Sequence, residues 1–488
     1  MHIMFLSPEV WPFTRVGGLA EVAHDLPLAL GGLGHRVEVV TPKCRMEPRW
    51  EKRLEPVEAV LEVPVSWKRH RALVSRLELS DRVTVYFVSH EHLFDREGLY
   101  GNAYGDYQDN AERFIFYSRA ALELARAQDW HLDVVHANDW TTGLVPLYLK
   151  SLYADCPQLA EAGSLMTVHN LANQGLFWHY DMPLTGLGWE YFTPEGMEFF
   201  GKINFLKAGL VFADLVSTVS RRYAQEILEP EMGCGLEGVL KTRAQSLRAV
   251  VNGLDYQTWN PETDRYIIAN FGAGNLEPKA RCTRELRRIF GLEQETQRPL
   301  GAVVGRLLNR RGLDLLAPSL EHILDMGLDL VIMGYGEDHY HAFLQAMSRK
   351  RPRQLGVHIG YQTELAHQIM AGADILVMPS RFEPCGLHQM QAMRYGCIPV
   401  VRATGGLDDT VQDHTPQSPG TGFKFQPYRA EALLDTLKRA LHTRGHPQQW
   451  RDLVQRAMAQ DFSWQSTAPR YESMYREARQ LRRAAGEA

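Results

Sequence analysis

The fold is best defined by Ala373-Asp-Ile-Leu-Val-Met378 and the adjoining Pro379-Ser-Arg-Phe-Glu-Pro-Cys-Gly-Leu387. The first segment is a short apolar run, which is typical of a buried strand in a parallel sheet. In the second, the proline and glycine predict a turn, and residues 387–395 then predict a helix. Glu383 is therefore expected in a strand-to-helix turn at the carboxyl end of a strand, where open α/β sheets bind their ligands.

The same turn offers groups that bind negative charge. The backbone amides of Cys385, Gly386 and Leu387 would point out from a helix start, and such amides favour anions. A carboxylate beside a phosphate-binding cradle suggests chemistry on a phosphorylated donor. Taken alone, the turn leaves open an ordinary connection with a solvated glutamate.

The order strand, then helix, repeats along the chain. Strands are predicted at residues 3–7, 37–41, 83–88, 134–136, 165–169, 215–219 and 249–251, with helices such as 110–126 and 199–212 between them. A second set follows at 300–305, 328–333, 357–359, 373–378 and 399–402. Alternating strands and helices imply parallel sheets covered on both faces, so two sets predict two doubly wound, Rossmann-like α/β domains.

Turn residues place the domain boundary. Asn252-Gly-Leu-Asp255 separates the two sets of strands, so the predicted domains are residues 1–253 and 254–465. Residues 466–488 are predicted to form a C-terminal helix, capped by Ser466 or Thr467 and with Pro469 in its first turn. Its apolar face must be buried, either on its own domain or, after crossing back, on the first.

Composition narrows the class of protein. Apolar residues make up 45% of the chain and charged residues 23%, as in globular proteins. A net charge of −5 argues against binding to nucleic acids or anionic membranes. The six cysteines form no Cys-x-x-Cys motif, and no signal peptide or apolar run of about 18 residues is visible. We therefore expect a soluble, cytoplasmic protein without a disulfide framework or a zinc site.

A glycine pair follows the first predicted strand, in Thr14-Arg-Val-Gly-Gly-Leu-Ala-Glu21. Gly17 and Gly18 allow a ligand to approach the backbone and permit unusual dihedral angles, and Arg15 adds a cation. The pattern is neither Gly-x-Gly-x-x-Gly nor a P-loop, and plain turn geometry is the alternative.

Arginines cluster after the first strand of the second half. Arg306, Arg310 and Arg311 lie in Val303-Val-Gly-Arg-Leu-Leu-Asn-Arg-Arg-Gly-Leu313, and guanidinium forks match diphosphate oxygens. A solvated basic turn is the alternative.

Two polar motifs follow strands of the first half: His136-Ala-Asn-Asp-Trp140 and Thr167-Val-His-Asn170. Asp139 could simply cap a helix, and His169 could be a satisfied core histidine. All these turns, however, fall at carboxyl ends of parallel strands, and two facing sheets would bring them into one interdomain cleft. Because no metal-ligand cluster is visible, arginines and helix ends are expected to neutralise a diphosphate leaving group.

Together these motifs resemble those of bacterial glycogen synthases and plant starch synthases, the retaining glucosyltransferases of glycosyltransferase family 5 with GT-B architecture. The resemblance runs from Met1 to about Tyr475. Its further blocks are Leu93-Phe-Asp-Arg-Glu-Gly-Leu-Tyr-Gly101, Gly201-Lys-Ile-Asn-Phe-Leu-Lys207, Val251-Asn-Gly-Leu-Asp255, Trp259-Asn-Pro261, Gly405-Gly-Leu407 and Asp461-Phe-Ser-Trp464.

The resemblance implies transfer of glucose from ADP-glucose to the non-reducing 4-hydroxyl of an α-1,4-glucan such as glycogen or a maltooligosaccharide, with retention. It implies no cofactor and no metal, and no nucleic-acid or membrane partner. The resemblance also implies roles for single residues. Glu383 would contact the donor sugar, and His169 and Asn252 would hold the glucose. Arg306 and Arg311 would stabilise the departing diphosphate, and Asp139 would lie near the reacting centre or acceptor.

The remaining implied roles concern binding. The amides of Cys385, Gly386 and Leu387 would bind phosphate, and Tyr361 would stack on the nucleobase. Gly405 and Gly406 would lie beside the sugar or phosphate, and Arg15, Gly17 and Gly18 would be among the substrate-binding residues.

The chain departs from the family pattern at several positions. Arg15 and Arg311 stand where the family usually has lysine, and an ammonium and a guanidinium are not interchangeable. Glu21 replaces the usual aspartate, Asn138 a histidine and His388 a threonine, and Gln391 stands where other retaining GT-B families carry a second glutamate. Three alternatives stay open: a transferase that uses UDP-glucose or a smaller acceptor, a phosphorylase-like pyridoxal-phosphate enzyme, and a catalytically silent glucan-binding protein.

Overall fold

The computed structural model describes residues 1–486 and contains two units, each built around its own sheet. The first unit comprises Met1–Gly253 and the chain from Trp464 onward, and the second comprises Leu254–Ser463. The chain thus leaves the first unit once and returns to it once.

A nine-stranded sheet forms the centre of the first unit. The strands of the unit are β1 (His2–Leu6), β2 (Arg36–Pro42), β3 (Glu55–Val65), β4 (Lys68–Ser80), β5 (Val83–Ser89), β6 (Gly101–Asn102), β7 (Gly105–Asp106), β8 (Val134–Asn138), β9 (Gly163–Val168), β10 (Leu176–Trp178), β11 (Glu198–Phe199), β12 (Lys202–Asn204), β13 (Leu215–Thr218) and β14 (Leu247–Ala249). The sheet has the order β14-β13-β9-β8-β1-β2-β5-β4-β3. Pairing is parallel from β14 to β5 and antiparallel from β5 to β3.

Helices connect the parallel strands of this unit. They are α1 (Leu19–Gly32), α2 (Pro48–Glu51), α3 (Glu91–Phe94), α4 (Asn110–Ala127), α5 (Val145–Lys150), α6 (Phe205–Phe212), α7 (Arg221–Glu226), α8 (Pro230–Gly233) and α9 (Glu237–Thr242), with 3₁₀ turns at Trp140–Thr142, His179–Thr185, Trp189–Tyr191 and Ala244–Ser246. The longest, α4, is buried along most of its length because it packs beneath β3 and the aromatic residues that follow β8.

The second unit has a six-stranded, wholly parallel sheet. Its strands are β15 (Leu300–Leu307), β16 (Asp329–Gly336), β17 (Leu355–Ile359), β18 (Ile375–Met378), β19 (Ile398–Arg402) and β20 (Phe423–Phe425), in the order β17-β16-β15-β18-β19-β20. Its helices are α10 (Lys279–Ile289), α11 (Leu313–Asp325), α12 (Asp338–Lys350), α13 (Thr363–Gly372), α14 (His388–Arg394), α15 (Gly405–Thr410), α16 (Ala430–Arg444) and α17 (Pro447–Met458), with a 3₁₀ turn at Asn309–Arg311. The strands are apolar on both faces because helices cover both, which confirms the predicted doubly wound fold.

The last helix, α18 (Trp464–Gly486), belongs to the first unit. The side chains of Trp464, Tyr471 and Tyr475 lie in the first unit's core, and the indole nitrogen of Trp464 donates to Asp25 Oδ2 at 3.2 Å. The helix begins two residues before the predicted 466, so Ser466 and Thr467 are helical residues and not caps, and Pro469 lies inside the helix. Burial of the indole at the first helical position explains this earlier start.

Two predictions about the first unit are wrong. Its sheet is not purely parallel, since β3 and β4 add an antiparallel hairpin at one edge. The predicted helix 199–212 is instead a β11–β12 turn followed by α6. Gly201, with φ of +76°, makes the turn, and Asn204 caps α6 by accepting from Lys207 N at 2.9 Å.

Candidate active site

The strand order of the second unit locates its ligand-binding edge. β16 and β17 lie on one side of β15, whereas β18, β19 and β20, which come later in the chain, lie on its other side. In doubly wound sheets, ligands bind at the carboxyl end of the point where the order reverses. Here that point lies between β15 and β18, and the turns that follow these two strands carry the arginine cluster and Glu383.

Glu383 is held in a buried position within its turn. Only 4% of the residue is exposed, and its Oε2 forms an ion pair with Arg311 Nη1. The hydroxyl of Ser380 donates to the same oxygen at 3.3 Å. The glutamate is therefore a positioned carboxylate, not the solvated side chain of an ordinary turn.

Backbone contacts fix the spacing between the two turns. The amides of Arg381 and Phe382 both donate to the carbonyl of Arg310, at 3.0 and 3.3 Å. Gly312 has φ of +84°, and a Cβ there would lie 2.2 Å from the carbonyl oxygen of Pro379. Only glycine tolerates both the left-handed backbone and this close approach.

The three arginines create a local excess of positive charge. Burial and the charges of Arg310 and Arg306 lower the pKa of Arg311 to about 10, and burial and Arg306 lower the pKa of Arg310. The Arg306 guanidinium also lies 5.5 Å from the ring centroid of Tyr335, an aromatic side chain that is 44% exposed. Three cations beside one carboxylate favour a dianionic or more highly charged ligand.

The turn after Glu383 is braced by a second glycine pair. A Cβ on Gly405 would lie 2.0 Å from the carbonyl oxygen of Glu383, and one on Gly406 would lie 1.8 Å from that of Cys385. The amide of Gly406 donates to the carbonyls of Glu383 and Pro384, at 3.1 and 3.0 Å. These two glycines therefore hold the glutamate turn in place by close backbone packing.

The amides predicted to bind phosphate lie in this braced turn. Gly386 has φ of +71°, and the side-chain amide of Gln389 donates to the carbonyls of Cys385 and Gly386, at 3.1 and 3.0 Å. Leu387 immediately precedes the seven-residue helix α14. The Gln389 side chain therefore fixes the carbonyls of this turn.

Tyr361 lies farther from the glutamate. It follows β17, at the sheet edge two strands from β15, which corresponds to about 10 Å at the usual strand spacing. Its side chain is half-buried and packs against the second unit's core. This separation is compatible with contact to a distant part of an extended ligand.

In the first unit, the strand order reverses between β1 and β8. The turn after β1 is organised by Glu9, which the sequence did not single out. Its Oε2 accepts from the amides of Val16 and Gly17, both at 2.6 Å, and its Oε1 accepts from the hydroxyl of Tyr100 at 2.9 Å. Arg15 in the same turn pairs with Glu21 at 2.7 Å.

The first glycine pair does not use left-handed backbone angles, so that part of the prediction is wrong. Gly18 has φ of −72°, and Gly17 is not among the glycines with positive φ. A Cβ on Gly17 would meet no atom within 4 Å. Neither backbone strain nor protein packing requires glycine at position 17.

Asp139 follows β8 in a strained conformation. It has φ of +55°, and its Oδ1 accepts from the amides of His169 at 2.7 Å and Asn170 at 3.4 Å. Burial raises the pKa of Asp139 to about 7, although these amides oppose the shift. Strain of about 1–3 kcal/mol at such a residue persists only where its surroundings hold it, and such residues cluster at functional sites.

His169 lies beside Asp139, one strand along the sheet. Its Nε2 is 2.9 Å from Oδ1 of Asn138, whose Nδ2 donates to the carbonyl of Leu6 at 3.0 Å. This orientation of the amide makes Nε2 the donor and leaves Nδ1 as an acceptor. Burial lowers the pKa of His169 to about 4, so the ring is neutral at pH 7 and acts through hydrogen bonds.

Asn252 is not part of this pair. It follows β14, at the sheet edge two strands beyond β9, and it is buried with its Oδ1 accepting from the hydroxyl of Tyr471 at 3.4 Å. The structure therefore gives it a contact with α18. Within residues 1–486, no three His, Cys, Asp or Glu side chains are grouped so that they could hold a metal ion, and no described helix is long and apolar enough to cross a membrane.

Two family models match the chain. The starch synthase catalytic domain matches residues 2–242, and glycosyl transferases group 1 matches residues 287–456. Glycogen synthases from Anaeromyxobacter sp. (strain Fw109-5) and Koribacter versatilis (strain Ellin345) are 46% and 43% identical, over 98% and 99% of this chain and 99% of each relative. The chain belongs to the glycogen synthase and starch synthase family.

Solved structures agree with this family assignment. The catalytic domain of starch synthase IV from Arabidopsis thaliana, bound to ADP and acarbose, superposes with a TM-score of 0.90 at 31% identity, covering 98% of this chain and 99% of that one. A sucrose-phosphate synthase from Thermosynechococcus elongatus, with a TM-score of 0.61 and 17% identity, shares the fold. The predicted resemblance and the GT-B fold are confirmed, and membership of the glycogen synthase family makes this protein a glycosyltransferase.

Proposed function

We propose that the protein elongates glycogen by transferring glucose from ADP-glucose to the non-reducing 4-hydroxyl of an α-1,4-glucan, with retention of configuration. The observation that carries the proposal is the ion pair of the buried Glu383 with Arg311, beside Arg306 and Arg310, at the reversal point of the second sheet. The glycogen synthase relatives and the ADP-bound starch synthase support the choice of donor and acceptor. We also propose that the reaction takes place in the cytoplasm.

The arginines supply the stabilisation of the leaving group. Negative charge grows on the diphosphate as the glycosidic bond breaks, so guanidiniums placed beside it stabilise the transition state more than the ground state. Arg311 also holds Glu383, so a bound diphosphate shares this cation with the carboxylate. The amides of Cys385, Gly386 and Leu387 would bind phosphate oxygens, and Tyr361 would stack on the nucleobase.

We propose a front-face mechanism for the glucosyl transfer. A diphosphate oxygen takes the proton of the acceptor hydroxyl on the same face of the sugar from which the diphosphate leaves, which retains the configuration. Glu383 contacts the donor sugar, and its negative charge favours the oxocarbenium-like transition state. Double displacement through Glu383 as nucleophile is the competing mechanism, and trapping of a glucosyl-Glu383 adduct would support it.

The first unit acts on the sugar and the acceptor. The neutral His169 offers Nδ1 as an acceptor for a glucose hydroxyl, and Asn252 would provide a second contact. Asp139, with its pKa near 7, exchanges its proton readily at neutral pH, as suits a residue near the acceptor hydroxyl. Gly17 and Gly18 would let the donor phosphates approach the backbone.

The proposal makes the arginines, and not a metal ion, the counter-charge of the diphosphate. The enzyme should therefore remain active after treatment with EDTA, and a strict requirement for magnesium would contradict this part of the proposal. Variants Arg306→Ala and Arg311→Ala should slow transfer by about 10²-fold or more at saturating donor.

One experiment decides the donor. Incorporation of glucose into glycogen is measured side by side from ADP-glucose and UDP-glucose, with the wild type at equal donor concentrations. We expect ADP-glucose to be preferred. Preference for UDP-glucose would overturn the donor assignment, and absence of transfer from either would overturn the proposed activity.

A further inference from the structure

A cavity lies in the first unit, apart from the residues described above. It has a volume of about 490 Å³ and is lined by β3, β4, one side of α4 and residues 152–158. Small organic ligands occupy pockets of about 300–1,000 Å³. One wall is formed by Gln158, whose carbonyl accepts from Leu132 N just before β8 begins. Asp139 follows the other end of β8, about 20 Å away at about 3.3 Å per residue.

The cavity contains a buried arginine, Arg119, with one N–H group that has no hydrogen-bond acceptor. Arg119 lines it with only 9% of the residue exposed, and its Nε–H has no hydrogen-bond acceptor. Its guanidinium lies 5.7 and 5.8 Å from the ring centroids of Tyr148 and Tyr153. The Tyr153 hydroxyl also hydrogen-bonds to the Arg119 side chain, whereas the cation–π contacts leave the Nε–H without an acceptor. A buried guanidinium in this state is suited to an anion that enters from the cavity.

The other charges of the cavity do not supply that anion. Glu123 pairs with Arg126 at 2.7 Å, and its other oxygen accepts from the Tyr153 hydroxyl. Glu62 lies 3.9 Å from Arg69. These two pairs, Glu123 with Arg126 and Glu62 with Arg69, are the ion pairs described for the cavity lining. Within residues 1–486, no carboxylate is described as an ion-pair partner of Arg119.

The remaining polar groups of the wall are mostly hydrogen-bond acceptors. Asp155 is exposed at the cavity and the carboxylate of Glu62 lies along the same lining, whereas the side-chain oxygen of Gln158 already accepts from the Cys156 thiol at 3.2 Å. Acceptors of this kind bind hydroxyl groups. An anionic group at one end and hydroxyls along the rest are the features of a phosphorylated sugar or a sugar acid.

We propose that this cavity is a binding site for a small, hydroxyl-rich anion, with the phosphate or carboxylate of the ligand on Arg119. The site is separate from the glucosyl-transfer residues, none of which lines the cavity. The inference does not depend on the proposed donor or acceptor.

Cys156 provides a test in the wild-type protein. Its thiol lines the cavity and is half-buried, while Cys234 is exposed elsewhere and serves as an internal reference. Alkylation of both thiols is followed by peptide mass spectrometry, with glucose 1-phosphate, gluconate, glucose or inorganic phosphate as the probe. At ten times its dissociation constant, glucose 1-phosphate or gluconate should slow alkylation of Cys156 about tenfold and leave Cys234 unchanged. The probe that slows alkylation of Cys156 shows whether the bound anionic group is a phosphate or a carboxylate.

Several results would overturn the proposal. They are unchanged alkylation with both anionic sugars, equal protection by neutral glucose, and equal protection by inorganic phosphate alone. The same assay on Arg119→Gln should show no protection, while Arg71→Gln, which removes an exposed arginine of β4 outside the cavity, should be protected as the wild type is. Protection must also persist in Arg306→Ala, and its loss there would show that the ligand acts from the second unit.

Discussion

Replacement of Glu383 by glutamine removes one charge and keeps the shape of the side chain. The carboxylate is 4% exposed and pairs with Arg311, so the substitution deletes the charge that forms this ion pair. Loss of a group that acts mainly in the transition state costs on the order of 3 kcal/mol, or about 10²–10³ in kcat. The donor should still bind, because the arginines remain.

The same substitution should have a modest effect on stability. Breaking a fully buried pair costs about 3–5 kcal/mol, whereas exposed pairs contribute about 0–1 kcal/mol. The Arg311 side chain is 35% exposed, so water or phosphate can solvate its charge once the carboxylate is gone. We therefore expect the free energy of unfolding to fall by about 1 kcal/mol, close to the value for an exposed pair. For a unit of this size that corresponds to a fall of about 2–4 °C in Tm. ADP should bind severalfold more tightly, because a repelling charge near its phosphates is gone.

These effects can be separated by two measurements. Glucose transfer to glycogen gives kcat, and titration calorimetry gives the Kd for ADP. Glu321→Gln is the matched control, since it removes an exposed glutamate that pairs with Lys350 on the surface. Wild-type kcat in Glu383→Gln, with ADP bound at least as tightly as by the wild type, would refute the assignment of Glu383 to the donor sugar. A large loss of kcat accompanied by an equal loss in Glu321→Gln would point to a general effect of charge.

Further predictions follow from single contacts. Gly406→Ala should destabilise the second unit by several kcal/mol and lower its Tm, since a Cβ would lie 1.8 Å from the carbonyl oxygen of Cys385. Gly17→Ala should have the Tm of the wild type, because a Cβ there meets no atom within 4 Å, but it should raise KM for the donor. Asp139→Asn should gain stability relative to the wild type as pH rises from about 4 to 7. Burial raises the pKa of Asp139 in the native state to about 7, so in this pH range the native state binds more protons than the unfolded state. The wild type therefore loses stability across this range, and the asparagine variant does not. Urea unfolding at pH 5 and pH 8 measures this difference, and a pH-independent difference would contradict it. Tyr475→Phe should cost about 1–3 kcal/mol in unfolding free energy, because its hydroxyl and the buried His136 Nδ1 form a 2.8 Å hydrogen bond.

Much of the fold was predictable because buried parallel strands are short apolar runs. The predicted strands 37–41 and 300–305, for example, lie within Arg36–Pro42 and Leu300–Leu307. The β3–β4 hairpin was missed, although Val57, Leu61 and Val63 alternate with polar residues as in a strand with one buried face. The signal was present but was weaker than a continuous apolar run.

The site was predictable only in part. Sequence motifs identify the turns that carry polar residues, but they do not show the order of the strands within the sheet. Which turns share a reversal point depends on the order β15-β18 and β1-β8, which arises from long-range packing. Glu9 and Tyr335 carry no local pattern, and only the fold shows that Glu9 contacts the glycine turn and Tyr335 contacts Arg306. Asn252 was assigned by resemblance, and its buried bond to Tyr471 shows a contact that no motif contains.

The return of the chain to the first unit has a consequence for biosynthesis. The ribosome makes the second unit before α18, so the first unit still lacks Trp464, Tyr471 and Tyr475 from its core while the second unit is being made. The contact between His136 and Tyr475 closes a loop of 339 residues, which makes it one of the last to form. Until α18 has been made, the first unit presents an open apolar surface to chaperones and proteases, and a premature stop codon near Trp464 would leave that surface permanently uncovered.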